Sequence, residues 1–589
     1  MYFFLDNVRP YYYNVNMAHL HKKMKKGRPY YYIREIARVA GKPKVINQVY
    51  LGSPKRMLEM ATSSGEPCVK VQAQEFGALW LANLIEQEVG FSQIVDSVID
   101  RGDKENGPTV GEYFLYAVFN RMIDARSKRA LPEWYKSTAI QHIRPTQIDV
   151  LDSQHYWRKW ERIEQKQLHE IAENFFQKLT KLESPSSDCF MFDTTNYYTY
   201  MASNTKSDLA KRGKNKAGKN WLRQIGVALL VSRDNQIPFY YREYEGNRHD
   251  SKLFARVMDQ VIGAMHKHVG KQGNLTIVFD KGMNSEDNIK AIDIQEDIHF
   301  ITTYSSYFAK DLVQIKLKKF QPIDIDKNRE LSELGREDDR MLAWRTTGEY
   351  WGKERAVIVT YNPLTATRQR YSFEKKILSL QKTLFEMQNN IRKQKPHWRD
   401  KKLVIARHKK VCSKLHIPKD LYKIDVYLKD DQLHMNFRKN YYRIGRYINR
   451  FGKNILITDN MDWTTDEIVK ASLDRYVVEE AFRQSKDEDL ISLMPLRHWT
   501  DSKIRCHILT CIVALAYLQI IENRLKKAGL KITAHTSMDK MHTLHSCLMW
   551  HSQKRKPQRM IEEPDQIQSQ IIEAFGFQVK RGVLQNIKG

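Results

Sequence analysis

Cys189-Phe-Met-Phe-Asp193-Thr-Thr195 and Leu275-Thr-Ile-Val-Phe-Asp280-Lys-Gly-Met283 share one form: a short, nearly continuous apolar run that ends in an aspartate and then turns. Such runs are expected of strands covered on both faces of a sheet, where functional groups gather at strand ends. A carboxylate at the end of a buried strand is expensive unless a cation satisfies it. One strand-end Asp is usually a turn or cap residue, but two of them together with a helical Glu make a candidate three-carboxylate site for hard divalent ions. The third acid lies in Arg475-Tyr-Val-Val-Glu479-Glu-Ala-Phe-Arg483-Gln-Ser-Lys486, where Glu479 is four residues from Arg475 and Arg483 and seven from Lys486. At 3.6 residues per turn these four share one stripe of a helix, and Val477, Val478, Ala481 and Phe482 supply the apolar side. Alone, the stretch reads as a solvated helix with ordinary i,i+4 pairs. Beside two strand-end aspartates it reads as a helix that holds a metal and a polyanion together.

These residues resemble a DDE transposase of the large insertion-sequence superfamily marked by a Tyr-x2-Arg-x3-Glu-x6-Lys signature, whose catalytic core is RNase H-like. Asp193 in FDTT matches the first acid, Asp280 in FDKGMNSEDN the second and Glu479 the third, with Arg475 and Lys486 at the signature spacings. Ser472 stands at the tyrosine position, a departure that affects one DNA contact and none of the acids. The likeness continues through YLGS near residue 50, NRMIDARSKRALPEW (120–134), YEGNRHDS (244–251) and PLRHWTDSKIRCHI (495–508). It implies that Asp193, Asp280 and Glu479 hold two Mg²⁺ ions, with Mn²⁺ as a substitute, for in-line displacement at phosphorus with no covalent protein nucleophile. Arg475, Arg483 and Lys486 are then expected to clamp phosphates. The partners implied are double-stranded DNA, as terminal inverted repeats and as target, and a second copy of the chain on paired ends. The reaction implied is hydrolysis at the ends, a hairpin intermediate and strand transfer.

Lys and Arg exceed Asp and Glu by 28 across 589 residues, a surplus that calls for a polyanionic partner, most simply nucleic acid. With 42% hydrophobic and 11% aromatic content the charge is spread through folding sequence rather than a disordered tail. Six cysteines without paired CxxC spacing suggest reduced thiols, and a cytoplasmic, nucleoid-associated location is expected. Cys506, His507 and Cys511, and His542, His545, Cys547 and His551, lie in or near apolar helical sequence and read as packing residues rather than zinc ligands. MYFFLDNVRPYYY has no charged leader, and Ile504 to Leu525, flanked by Glu522 and Arg524, reads as a buried core helix rather than a membrane span.

The fold class expected is α/β, an α+β multidomain chain with an RNase H-like mixed-sheet core interrupted by a large β-rich insertion between helical terminal regions. Residues 1–60 read as a small basic β module of two strands joined by the Gly41-Lys42-Pro43 turn. Residues 61–182 read as a helical DNA-binding domain, with Arg126, Lys128 and Arg129 clustered where one helix ends, although its periodicity fits a dimerisation bundle equally well. The core occupies 183–302 and 466–530, and its order of three strands, helix, strand, helix, strand puts Asp193 and Asp280 on neighbouring strands. Lys211 and Arg212 in the basic loop 206–219 suit a phosphate backbone or, as readily, solvent. The 198 residues between Asp280 and Glu479 exceed what such a core needs, so 303–465 is read as an inserted β-rich domain with a helical hairpin. Residues 531–589 are expected to form a helical tail. Two other readings stay open: a domesticated non-catalytic DNA-binding protein, against which all three acids speak, and a stand-alone structure-specific nuclease that cuts without joining.

Overall fold

In the computed structural model, which describes residues 18–25, 28–39, 42–62, 68–100, 107–185, 188–214, 218–248, 250–269, 274–551 and 556–587, the run Cys189–Thr199 is an inner strand of a mixed sheet. On one side it pairs antiparallel with Arg223–Ser232, whose sequence RQIGVALLVS is buried along almost its whole length, as apolar residues at both alternating positions require. Pro238–Glu245 pairs antiparallel beyond it, as does the two-residue strand Lys211–Arg212. On the other side Leu275–Phe279 runs parallel to the Asp193 strand, and Ile298–Tyr304 runs parallel to that. The helix Asp250–Val269 links Pro238–Glu245 to Leu275–Phe279, and Glu286–Asp293 links Leu275–Phe279 to Ile298–Tyr304. Apart from the two-residue strand Lys211–Arg212, which falls in the segment read as a basic loop, this is the order expected from the sequence.

The sheet does not stop there. Lys453–Thr458 pairs antiparallel with Ile298–Tyr304, Lys353–Tyr361 with Lys453–Thr458, and Leu342–Tyr350 with Lys353–Tyr361. Strands do lie within the segment read as a β-rich insertion, but Leu342–Tyr350, Lys353–Tyr361 and Lys453–Thr458 extend the core sheet instead of building a separate domain. An open edge on Ile298–Tyr304 would leave a row of main-chain groups unpaired, and these strands cover it. What stands apart is mostly helical: Pro363–Arg392, Lys401–Lys414, the hairpin Tyr422–Lys429 with Gln432–Lys439, and Tyr441–Ile448. Ile377, Leu380, Leu384, Met387 and Ile391 seal a separate small core there with Val404, Cys412, Val426, Leu433 and Met435.

Two other expectations are corrected. The basic N-terminal module has three antiparallel strands, Ala18–Lys25, Arg28–Val39 and Lys42–Gly52, because the lysine run itself forms the first. Gly41 and Lys26 lie outside the described residues. The C-terminal tail is mixed rather than helical: helices Ala534–His542 and Gln566–Ala574 alternate with strands His545–His551, Gln558–Ile561, Phe577–Lys580 and Val583–Asn586. His545–His551 pairs with Cys68–Glu75, so the tail completes a sheet begun before the helical region.

The helix Asp501–Lys527 is long and apolar enough to cross a membrane, yet it is buried inside the protein. It packs against Val110–Ile123, Ser153–Glu161 and Gln165–Leu182. Arg524 adds ion pairs to Glu88 at 2.6 Å and to Glu183 at 3.2 Å. The helices of 76–182 and the core thus share one hydrophobic interior.

Candidate active site

Asp193 is buried, and its Oδ1 accepts from the amide of Thr194 at 2.8 Å. The strand pairs Met191 with Val278 in parallel; two residues further along each strand, the same register sets Asp193 level with Asp280. Asp280 leaves the sheet as the residue before the short turn Lys281–Met283. Its Oδ1 accepts from Thr303 Oγ1 at 2.9 Å, and Thr303 Oγ1 accepts in turn from the amide of Lys281 at 3.0 Å. Thr303 thereby fixes the rotamer of the second acid from the neighbouring strand.

The helix Tyr476–Lys486 lies over the Asp193 strand, held by its buried side Val477, Val478, Ala481 and Phe482. Arg233 Nε, at 2.7 Å from Asp474 Oδ2, ties the start of this helix to the sheet. Arg475 sits at the helix start and its guanidinium joins two acids: Nη1 is 3.4 Å from Asp280 Oδ1 and Nη2 is 3.0 Å from Glu479 Oε1. At the far end of the helix Lys486 Nζ donates to Thr195 Oγ1 at 2.7 Å and lies 5.3 Å from the centre of the Tyr197 ring. The Tyr197 hydroxyl in turn meets Ser485 Oγ at 2.6 Å. Alternation along the strand therefore aims Thr195 and Tyr197 at the Glu479 helix.

A family model described as the transposase DDE domain matches residues 192–517, more than half of the chain. The chain belongs to the DDE transposase family. A cryo-EM structure of a piggyBac transposase synaptic complex with hairpin DNA is similar at 9% identity over 79% of this chain and 78% of that one, with a TM-score of 0.36. A Mos1 transposase paired-end complex with a left transposon end is similar at 10% identity over 36% of this chain and 64% of that one, with a TM-score of 0.15. No curated protein sequence matches the chain.

In this transposase Asp280 and Glu479 meet around a side chain rather than in a finished cage. Among the described residues no group of three or more His, Cys, Asp or Glu side chains is close enough to hold a metal ion. The reason is visible at Arg475, whose two nitrogens draw Asp280 and Glu479 to themselves. The donors are nonetheless carboxylate oxygens on two adjacent strands and a covering helix, the chemistry a hard divalent cation requires, and a cation already stands between two of them.

Several cations are placed otherwise than their sequence suggests. Arg483 does not join Glu479; its guanidinium forks onto Glu480, Nε at 2.7 Å and Nη2 at 2.5 Å, and faces solvent. Lys128 is buried, with Nζ 5.4 Å and 5.2 Å from the ring centres of Tyr156 and Trp160, so it is unavailable to DNA. Burial, followed by the nearby Arg121 charge, pushes its pKa well below the usual lysine range. Arg129 is exposed, and Arg126 is exposed but pairs with Asp124. Lys211 Nζ donates to the Ser207 carbonyl at 2.7 Å, whereas Arg212 points to solvent. Ser472 ends up near the close of the preceding helix, Thr465–Leu473, half-buried.

Lys128 therefore serves packing. Lys128→Met, similar in length and without the charge, is expected to leave DNA affinity unchanged and the thermal midpoint equal or higher. Lys128→Ala opens a cavity under Trp160 and is expected to lose about 2 kcal/mol. Thermal unfolding beside fluorescence anisotropy on element-end DNA checks both, and a selective loss of affinity in Lys128→Met would return the residue to the DNA-contacting set.

Sequence reasoning does not single out Thr303, Thr195 or Tyr197. The signal for the last two is present in the alternation Asp193, Thr195, Tyr197 along one strand, but nothing local says that a lysine from a distant helix is their partner.

Proposed function

We propose that the protein is the transposase of an insertion sequence, which cleaves at the ends of its element and joins them to target DNA as a dimer on paired ends. The observation that carries this reading is the register that brings Asp193, on its strand, level with Asp280, just past the end of the parallel neighbour, with Glu479 joined to Asp280 through Arg475. Asp193, Asp280 and Glu479 would hold divalent cations, Mg²⁺ or Mn²⁺. When bound, such ions activate the attacking oxygen and stabilise the leaving one in displacement at phosphorus.

The chain's own groups do the rest. Thr303 keeps the Asp280 carboxylate turned toward the site. Arg475 keeps Asp280 and Glu479 close against their mutual repulsion until a cation takes over, and its guanidinium is then free to fork onto a phosphate. Lys486 is held by a hydroxyl and a ring face, so its ammonium is positioned in advance at the end of the Glu479 helix, where a DNA phosphate would meet it. The surplus of 28 positive charges supplies the non-specific share of DNA affinity.

The test is incubation of the full-length protein with a short element carrying matched or scrambled ends, with and without Mg²⁺. Cleavage and joining of the matched ends in Mg²⁺ alone are expected. Cleavage without joining would make the protein a nuclease, and binding without either would make it a non-catalytic DNA-binding protein.

A further inference from the structure

Two large rings stand in water just past the residue that holds Asp280. Tyr307 is 70% exposed and Phe308 73% exposed, in the turn that begins two residues after Thr303. Rings left in water contribute little to folding, yet the backbone that presents them is tied down. The amides of Tyr307 and Phe308 donate to Ser305 Oγ at 3.3 Å and Ser305 O at 3.1 Å, and Ala309 plugs into a small core with Val313 and Phe320. The two rings meet edge to face at 5.2 Å, and Lys310 Nζ lies 5.0 Å from the centre of Tyr307.

A second pair belongs to the same surface. The helix Tyr441–Ile448 presents Tyr441 at 77% and Tyr442 at 67% exposure. Arg446 donates to the Tyr442 hydroxyl at 3.3 Å and lies over its ring at 5.9 Å. The helix is bound to the segment that follows the first pair: Arg446 Nη2 is 3.6 Å from Asp311 Oδ1, and Gln314 Nε2 donates to the Arg446 carbonyl at 3.0 Å.

We propose that this surface holds an unpaired DNA strand leading away from the acid site, with bases stacking on the Tyr307–Phe308 and Tyr441–Tyr442 pairs and phosphates taken by Lys310 and Arg446. The proposal rests on the transposase reading above. Every base offers a π-face, so rings with cations beside them form a sequence-tolerant single-strand site. A second copy of the chain is the poorer occupant, since Lys310 and Arg446 would meet their own like on a chain with a net charge of +28.

The experiment measures metal-free binding of the full-length protein to fluorescein-labelled oligothymidylate and to a blunt element-end duplex, for Tyr307→Ala with Phe308→Ala and for Tyr441→Ala with Tyr442→Ala. Each double variant is expected to lose about tenfold or more in oligothymidylate affinity while duplex affinity stays within about twofold. Tryptophan at both positions of the first pair is expected to restore single-strand binding, and thermal midpoints are expected to be unchanged because the rings are exposed. A wild type that does not bind oligothymidylate, double variants that bind it within about twofold of wild type, or an equal loss on the duplex would each overturn the proposal. Cleavage is scored separately: protein that cuts element ends but binds single strands without the rings overturns this surface alone. Protein that needs the rings for single strands but cuts nothing upholds the surface and overturns only the catalytic reading.

Discussion

Asp193→Asn, Asp280→Asn and Glu479→Gln are each expected to lower end cleavage by at least on the order of 10³-fold, about 4 kcal/mol of transition-state stabilisation, while end binding stays near wild type. The amides keep the shape of the acids and remove the charge that a divalent cation needs. In Asp280→Asn the side-chain carbonyl could still accept from Thr303 Oγ1, so the turn after the strand is expected to survive the change. DNA affinity is expected to rest on lysines and arginines rather than on the three acids, so its fall with salt is expected to be the same in all three variants. Single-turnover cleavage in Mg²⁺ beside anisotropy across a salt series makes the comparison; near-normal cleavage by any one variant would remove that residue from the site.

Arg475→Gln is expected to act twice, in opposite directions for stability and for metal. Without the guanidinium, Asp280 and Glu479 repel each other in metal-free protein, and because all three groups are partly exposed the cost is held to about 1 kcal/mol. Added Mg²⁺ relieves the same repulsion, so the Mg²⁺-induced rise in thermal midpoint is expected to be larger in the variant than in wild type. Cleavage is expected to fall by about 10²-fold even in saturating Mg²⁺, since a forked phosphate contact is lost. Differential scanning fluorimetry over a Mg²⁺ series separates the two effects. A variant with wild-type midpoint and wild-type Mg²⁺ response would show that Arg475 does not stand in for a cation.

The core was legible because its signals are local. The stretch Leu275-Thr-Ile-Val-Phe279 before Asp280, four of its five residues apolar, and a run like IGVALLV read as strands covered on both faces, and their order limits the sheet to few topologies. Ile377, Leu380, Leu384, Met387 and Ile391 recur by three and four, which is a local helix signal of the same kind, and they pack within their own unit. The outer strands fall inside the segment that reads as a β-rich insertion, yet they join the core sheet. A period of two says that a segment is extended and is silent about which edge it will pair with. The tail escaped because its helices and strands are too short for periodicity to declare itself.

By itself the sequence determined that Asp280 follows a core strand, which helix carries the third acid, and that the chain as a whole favours a polyanion; Asp193, read as a strand-end acid, lies instead inside Cys189–Thr199, because that strand runs on past it against Arg223–Ser232. Spacing and burial patterns are properties of a few consecutive residues, and the physics that reads them is local. Tertiary structure alone decided what each charge does. Lys128 was one basic residue among several until Tyr156 and Trp160 closed over it, and Arg483 shared a stripe with Glu479 but found Glu480 nearer. Lys486 meets Thr195 across 291 residues, and Arg475 bridges to Asp280 from a helix almost 200 residues further along the chain. A charge takes its role from the partners within a few ångströms, and those partners are chosen by how the sheet and helices pack.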